Sequence, residues 1–227
     1  LIKMKKVNIH KTAIFMNLAF FSSLLVACGT GREQTIENTR VTAIASETES
    51  GEPIASRISQ CVACHTHSGN STSPMFPKIA GQQESYLNAQ MTAFRKHLRA
   101  DKDAKDYMWG MARSLTDQDI VDISRFFATR PIPVGIHGNE ALTAIGREIF
   151  KSGIPAKNLI ACQTCHGVEA RGLGSFPGLA GQHAFYIKRQ LSYFASGERS
   201  EDPTMGPIAK VMSPAEISAV AEYLQSL

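Results

Sequence analysis

The chain has 227 residues, 43% of them hydrophobic and 19% charged, a composition too apolar for a disordered polypeptide and a length suited to one large domain or two small ones. Its formal charge of +4 is traced to Lys3, Lys5, Lys6 and Lys11. These lie in an acid-free N-terminal stretch; the remainder is balanced, so no nucleic-acid partner is expected. Four of the five cysteines sit in two C-x-x-C pairs, which does not read as a disulfide framework.

Residues 1–12 hold the lysines, and residues 13–27 form an uncharged, mostly apolar run. That run falls short of the about 20 residues a membrane-spanning helix needs. Residues 1–27 therefore read as a signal peptide. The run ends Leu25-Val26-Ala27-Cys28-Gly29, which resembles a bacterial lipoprotein box. Cys28, outside both cysteine pairs, is the expected lipidation site, and acyl chains there would hold the protein in the periplasm, anchored to a bacterial membrane. The alternative is ordinary cleavage after Ala27, which would leave Cys28 without a role. Residues 28–53 are rich in Ser, Thr, Glu and Gly without apolar period, and read as a lipidated N-terminus followed by a flexible tether.

The rest is an internal repeat. Cys61-Val62-Ala63-Cys64-His65 matches Cys162-Gln163-Thr164-Cys165-His166. Phe76-Pro77-Lys78-Ile79-Ala80-Gly81-Gln82 matches Phe176-Pro177-Gly178-Leu179-Ala180-Gly181-Gln182. Tyr86, Gln90 and Phe94 recur as Tyr186, Gln190 and Phe194, and Met108, Ala112 and Leu115 as Met205, Ala209 and Met212. Two units follow, residues 54–133 and 134–227, separated where Pro131 and Pro133 forbid a continuous helix.

Each unit is expected to be helical. Ile54, Ile58 and Cys61 hold a helical face before the first motif, and Leu142, Ile145 and Ile149 before the second. Helical spacing returns over about 84–97 and 183–195. Thr116-Asp117-Gln118-Asp119 is a shortened capping box, and Ser213-Pro214-Ala215-Glu216 a full one with Pro at the first helical position. Asp202-Pro203-Thr204 is expected to hold a stiff extended loop. No alternating run suggests a sheet. Units of this size have small cores and need a staple.

C-x-x-C-H is the attachment signature of c-type haem. Two thiols three residues apart on a helical turn can bond the two vinyl groups, and the next residue, His65 or His166, can sit beneath the iron. Covalent haem would also supply the missing staple. A four-thiolate zinc site is disfavoured by the separation of the pairs, and a thioredoxin-like redox pair by the lack of strands. For the sixth ligand, Met108 and Met205 are the methionines at equivalent positions in both units. Met111, Met91 and Met212 read as packing, and Met75 as too near the proximal side. His97 and His183 lack partners in the other unit and read as surface or cap residues; His67 reads as solvent-facing. Pro77 and Pro177 are expected to offer a carbonyl to the proximal imidazole N–H.

These motifs together resemble the dihaem class I cytochromes of the cytochrome c4 family. The resemblance covers residues 54–227 and implies an all-α fold of two tandem cytochrome c-like domains related by internal repeat, two covalently attached haem c groups, and electron carriage without catalysis. Donor and acceptor would be redox proteins such as a quinol-oxidising complex and a haem-copper terminal oxidase. The family usually has Gly where Thr66 follows His65. An electron-accepting subunit of a dehydrogenase is the nearest alternative. A dihaem peroxidase or a gas sensor would need an open iron position, against which the paired methionines argue. The excess of basic residues in the first unit, Lys102 and Lys105 among them, predicts docking of an acidic partner.

Overall fold

A computed structural model describes residues 53–227. The predicted signal peptide, Cys28 and the tether up to residue 52 lie outside the described residues. The first half holds α1 (Ile54–His65), α2 (Glu84–Arg95), a π-helix (Ala104–Met108) running into α3 (Trp109–Ala112), and α4 (Asp117–Ala128). The second holds α5 (Glu140–Ser152), a 3₁₀ turn (Pro155–Lys157), α6 (Gln163–His166), α7 (Ala184–Ser196), α8 (Met205–Lys210) and α9 (Pro214–Gln225). Among the described residues there is no strand, only isolated bridges between Ile154 and Leu159 and between Leu173 and Phe176. The fold is all-α, two tandem units of one helical plan.

Local chemistry sets the ends of the last helix of each unit. Thr116 accepts a hydrogen bond from the Asp119 amide while the Asp119 side chain accepts from the Thr116 amide, and Ser213 and Glu216 do the same for α9. Each box satisfies two amides that would otherwise lack partners, typically worth about 1 kcal/mol. Residues 131–139 are free of helix, as Pro131 and Pro133 require.

The terminal helix of each unit closes its core. α4 packs on α1 and α2, burying Ile58, Leu87, Ile123 and Phe127. α9 packs on α5 and α7, burying Phe150, Leu191, Val220 and Leu224. The α5–α9 contact depends on Gly146: a Cβ there would lie 2.0 Å from the carbonyl oxygen of Ala219, so any side chain would force the helices apart. A buried ion pair adds direction to the α1–α4 contact, with Arg57 at 2.7 Å from Asp122 and 3.2 Å from Asp119.

The segment before Met205 is a turn, not the extended loop its proline suggested. The Asp202 carboxylate accepts the Thr204 amide at 2.7 Å, and Thr204 adopts right-handed helical angles that lead directly into α8. Pro203 fixes only its own φ, which suits the turn equally well.

Candidate functional site

The last turn of α1 carries Cys61, Cys64 and His65. His65 is buried, and its Nδ1 lies 2.9 Å from the Pro77 carbonyl oxygen. In the second unit Cys162 caps the short helix α6, which carries Cys165 and ends at His166; there Nδ1 lies 2.9 Å from the Pro177 carbonyl. A carbonyl can only accept, so Nδ1 donates in both rings and Nε2 holds the lone pair. Burial lowers the pKa of both imidazoles, with the carbonyl contact pulling the other way. Each ring also meets the edge of a phenylalanine, Phe76 at 6.4 Å and Phe176 at 6.3 Å between centroids.

Met108 is the final residue of the π-helix and Met205 the first of α8; both are half-buried. One cavity of about 300 Å³ is lined by Cys61, Cys64, His65 and Met108 of the first unit and by Cys162, Cys165, His166 and Met205 of the second. Pro77 and Pro177 line it too. Its remaining walls are largely apolar, among them Leu87, Phe94 and Ile123 on one side and Ile187, Leu191 and Leu224 on the other.

The first thiol of each pair is shielded from solvent. Burial pushes the Cys61 thiol up and that of Cys162 to about 11, away from the depressed range of reactive thiolates. Among the described residues no three His, Cys, Asp or Glu side chains cluster to hold a metal ion.

The other candidates are dispersed. His97 is exposed and stacks on Trp109 with centroids 4.0 Å apart. His183 is the N-cap residue of α7, buried, with Nε2 at 2.8 Å from the Ser71 carbonyl of the other unit. His67 is exposed and meets Phe126 edge-on. Met91 packs in the first core and Met212 in the second. Met111 is exposed rather than packed, at the cavity rim. Met75 is exposed and its carbonyl accepts from Arg189. Lys102 is exposed and pairs with Asp106 one helical turn on.

The polar seam between the units was not anticipated. Gln82 makes two hydrogen bonds to the backbone of Gly178, at 2.8 and 2.9 Å, and Gln182 makes the reciprocal pair to Lys78, at 2.9 and 2.7 Å. Gln83 reaches the Arg171 carbonyl as His183 reaches that of Ser71. Two buried arginines cross over: Arg99 donates to Gln190 and Tyr186, Arg199 to Gln90 and Tyr86, and each is neutralised locally, by Asp101 and Glu201. The available signal is polar: Tyr86 and Gln90, on α2, and Arg99, just beyond it, all recur one hundred positions later, on and just beyond α7.

Each half thus presents a pair of cysteine thiols, an imidazole lone pair and a thioether to an apolar cavity, a donor set that fits a covalently attached porphyrin iron. Gln190 Nε2, buried and without a hydrogen-bond partner, borders the same space. The sequence pattern of the Cytochrome c family matches residues 51–130 and again 144–227. Cytochrome c4 of Pseudomonas aeruginosa is 38% identical over 172 residues, which span 74% of this chain and 83% of that protein. A thiosulfate dehydrogenase electron acceptor of Thiomonas intermedia is 33% identical over 175 residues, 72% of this chain and 76% of that one. The solved structure of Acidithiobacillus ferrooxidans cytochrome c4 superposes with a TM-score of 0.70 at 38% identity, covering 74% of this chain and 99% of that one. The chain belongs to the cytochrome c family, as a dihaem electron carrier of the cytochrome c4 type with two covalently bound haem c groups.

Proposed function

We propose that this carrier moves single electrons between respiratory partners in the periplasm, toward a terminal oxidase, held to the membrane through lipidated Cys28. In this reading Cys61 and Cys64 tether one haem and Cys162 and Cys165 the other. His65 and Met108 ligate the first iron, His166 and Met205 the second. Bound haem iron supplies a one-electron couple, and a thioether ligand raises its potential relative to bis-histidine ligation. The chain's own residues do the rest. The Pro77 and Pro177 carbonyls fix each imidazole with its lone pair on Nε2. The apolar walls exclude water, and an iron held by both a histidine and a methionine would offer no open place to a substrate.

The observation that supports this most directly is the single cavity bordered by both motifs and both methionines. The test is an absorption spectrum with a redox titration on the mature protein. Two haems per chain, the far-red methionine–iron band and no avid carbon monoxide binding in the reduced state are expected. A high-spin spectrum or peroxide turnover would overturn it. The thiosulfate dehydrogenase electron acceptor relative favours one second reading, a fixed dehydrogenase partner, for which co-purification of a catalytic subunit is the discriminating result. On the first unit Lys96, Lys105 and Arg113 are exposed cations, and with Lys102 they support an acidic partner there.

A further inference from the structure

The two methionine segments are not held alike. Both units share the crossed arginines, but the first has additional fastenings that the second lacks. Asp103 is the N-cap residue of the π-helix that ends at Met108. It pairs with Arg189 of α7, in the other unit, at 2.7 Å with both side chains largely shielded from solvent. Arg189 also donates to the Met75 carbonyl at 2.7 Å, and the Tyr193 hydroxyl lies 3.4 Å from Asp103. On the far side of Met108, the Trp109 indole N–H donates to the Arg99 carbonyl at 2.8 Å. The Arg99 guanidinium is itself held by Gln190 and Tyr186 of α7. Met108 is therefore bracketed at both ends by contacts that lead to one helix of the neighbouring unit. The corresponding positions in the second unit are Pro203 and Gly206, and α2 has Ala89 and Ala93 where α7 has Arg189 and Tyr193, so α2 cannot return the favour.

A π-helix makes this bracket matter. A π-helical turn is rare, found mostly as a single turn at functional sites, and persists where surroundings enforce it. Asp103 enters it with no capping hydrogen bond from its own side chain, so its carboxylate is available to Arg189.

We propose that Arg189 is a positioning residue for Met108: through Asp103 the second domain holds the first domain's methionine segment in its ligating position. The inference rests on the assignment of Met108 as axial ligand. It makes the first iron's methionine bond depend on the integrity of the interface, while Met205 is held within its own domain and by the shared arginine crossing.

The test uses the mature dihaem protein. Imidazole, which competes with an axial methionine, is titrated while the far-red methionine–iron band is followed. The component lost in Met108→Ala marks the first haem. Arg189→Gln and Asp103→Asn are each expected to raise imidazole affinity at that haem about tenfold, the size of effect a partly shielded ion pair can have. The double variant should go no further than either single one, and Arg189→Lys should stay close to the parent. The second haem should be unaffected, as should both haems in Lys188→Gln, a change on the same helix whose pairing with Glu222 stays inside its own unit. An unchanged first haem in Arg189→Gln, or equal loosening of both haems, would overturn the positioning role. An undiminished band in Met108→Ala would instead overturn the ligand assignment beneath it.

Discussion

Thr66 occupies a backbone conformation that a β-branched residue should avoid. Its φ is 64° and ψ 165°, a region populated essentially by glycine, and the equivalent Gly167 has nearly the same angles, 79° and 154°. Both amides end their helix in the same way, on Val62 and Gln163 carbonyls at 3.0 Å, so the fold needs this geometry whichever residue is present. Holding a non-glycine residue there costs of order 1–3 kcal/mol. Thr66→Gly removes that strain. Against the gain stand about 0.5–1 kcal/mol for the greater freedom of glycine in the unfolded chain and a few tenths for the exposed hydroxyl contact between Thr66 and Ser68. A net stabilisation of about 1 kcal/mol follows, or roughly 2–4 °C in melting temperature for a chain of this size. The converse, Gly167→Thr, acquires the same strain plus a crowded Cβ at 3.2 Å from the Gly172 carbonyl, and should destabilise by about 2 kcal/mol. Thermal melts of the oxidised holoprotein, with haem absorption as the probe, measure both. If Thr66→Gly is neutral or destabilising, the strain argument at this loop is wrong.

The seam between the units offers two more tests. Gln182→Ala leaves a buried amide and carbonyl of Lys78 without their partners, so a loss of about 2–3 kcal/mol is expected in urea unfolding. Gln82→Ala should be similar through Gly178, and a loss below 0.5 kcal/mol in both, on the order of a surface change, would discount the clamps. His183 tests the seam by pH. Burial pulls its pKa below 6.5, partly offset by Ser71 and reinforced by Lys78. The unfolded chain then takes up the proton first, so the contribution of His183 is complete above 6.5 and is lost as pH falls below that value toward the depressed folded pKa. His183→Gln, which installs the side chain present at position 83, should flatten this part of the stability–pH curve; an unchanged slope would exclude His183 as its source.

What could be read in advance was local. The caps at Thr116 and Ser213 depend on residues three apart, and the haem motifs span five positions, so pattern alone identifies them. The turn at Asp202 departs from the extended loop expected there because a proline excludes helix interior without choosing among the remaining conformations; the side chain of Asp202 makes that choice. The π-helix before Met108 leaves no mark in residue spacing. The seam is only hinted at by the repeat of Tyr86, Gln90 and Arg99, for a different reason. Its bonds join residues about a hundred apart, and nothing in a glutamine indicates which distant backbone it will meet.

The reciprocal clamps of Gln82 and Gln182 grip main chain, not side chains. A junction built on peptide groups is indifferent to what projects from them, and the gripped residues have in fact diverged to Lys78 on one side and Gly178 on the other. Duplicated halves joined this way are free to drift apart in charge and bulk around each iron while their docking stays fixed, which is how one inherited blueprint can come to serve two unlike redox neighbours.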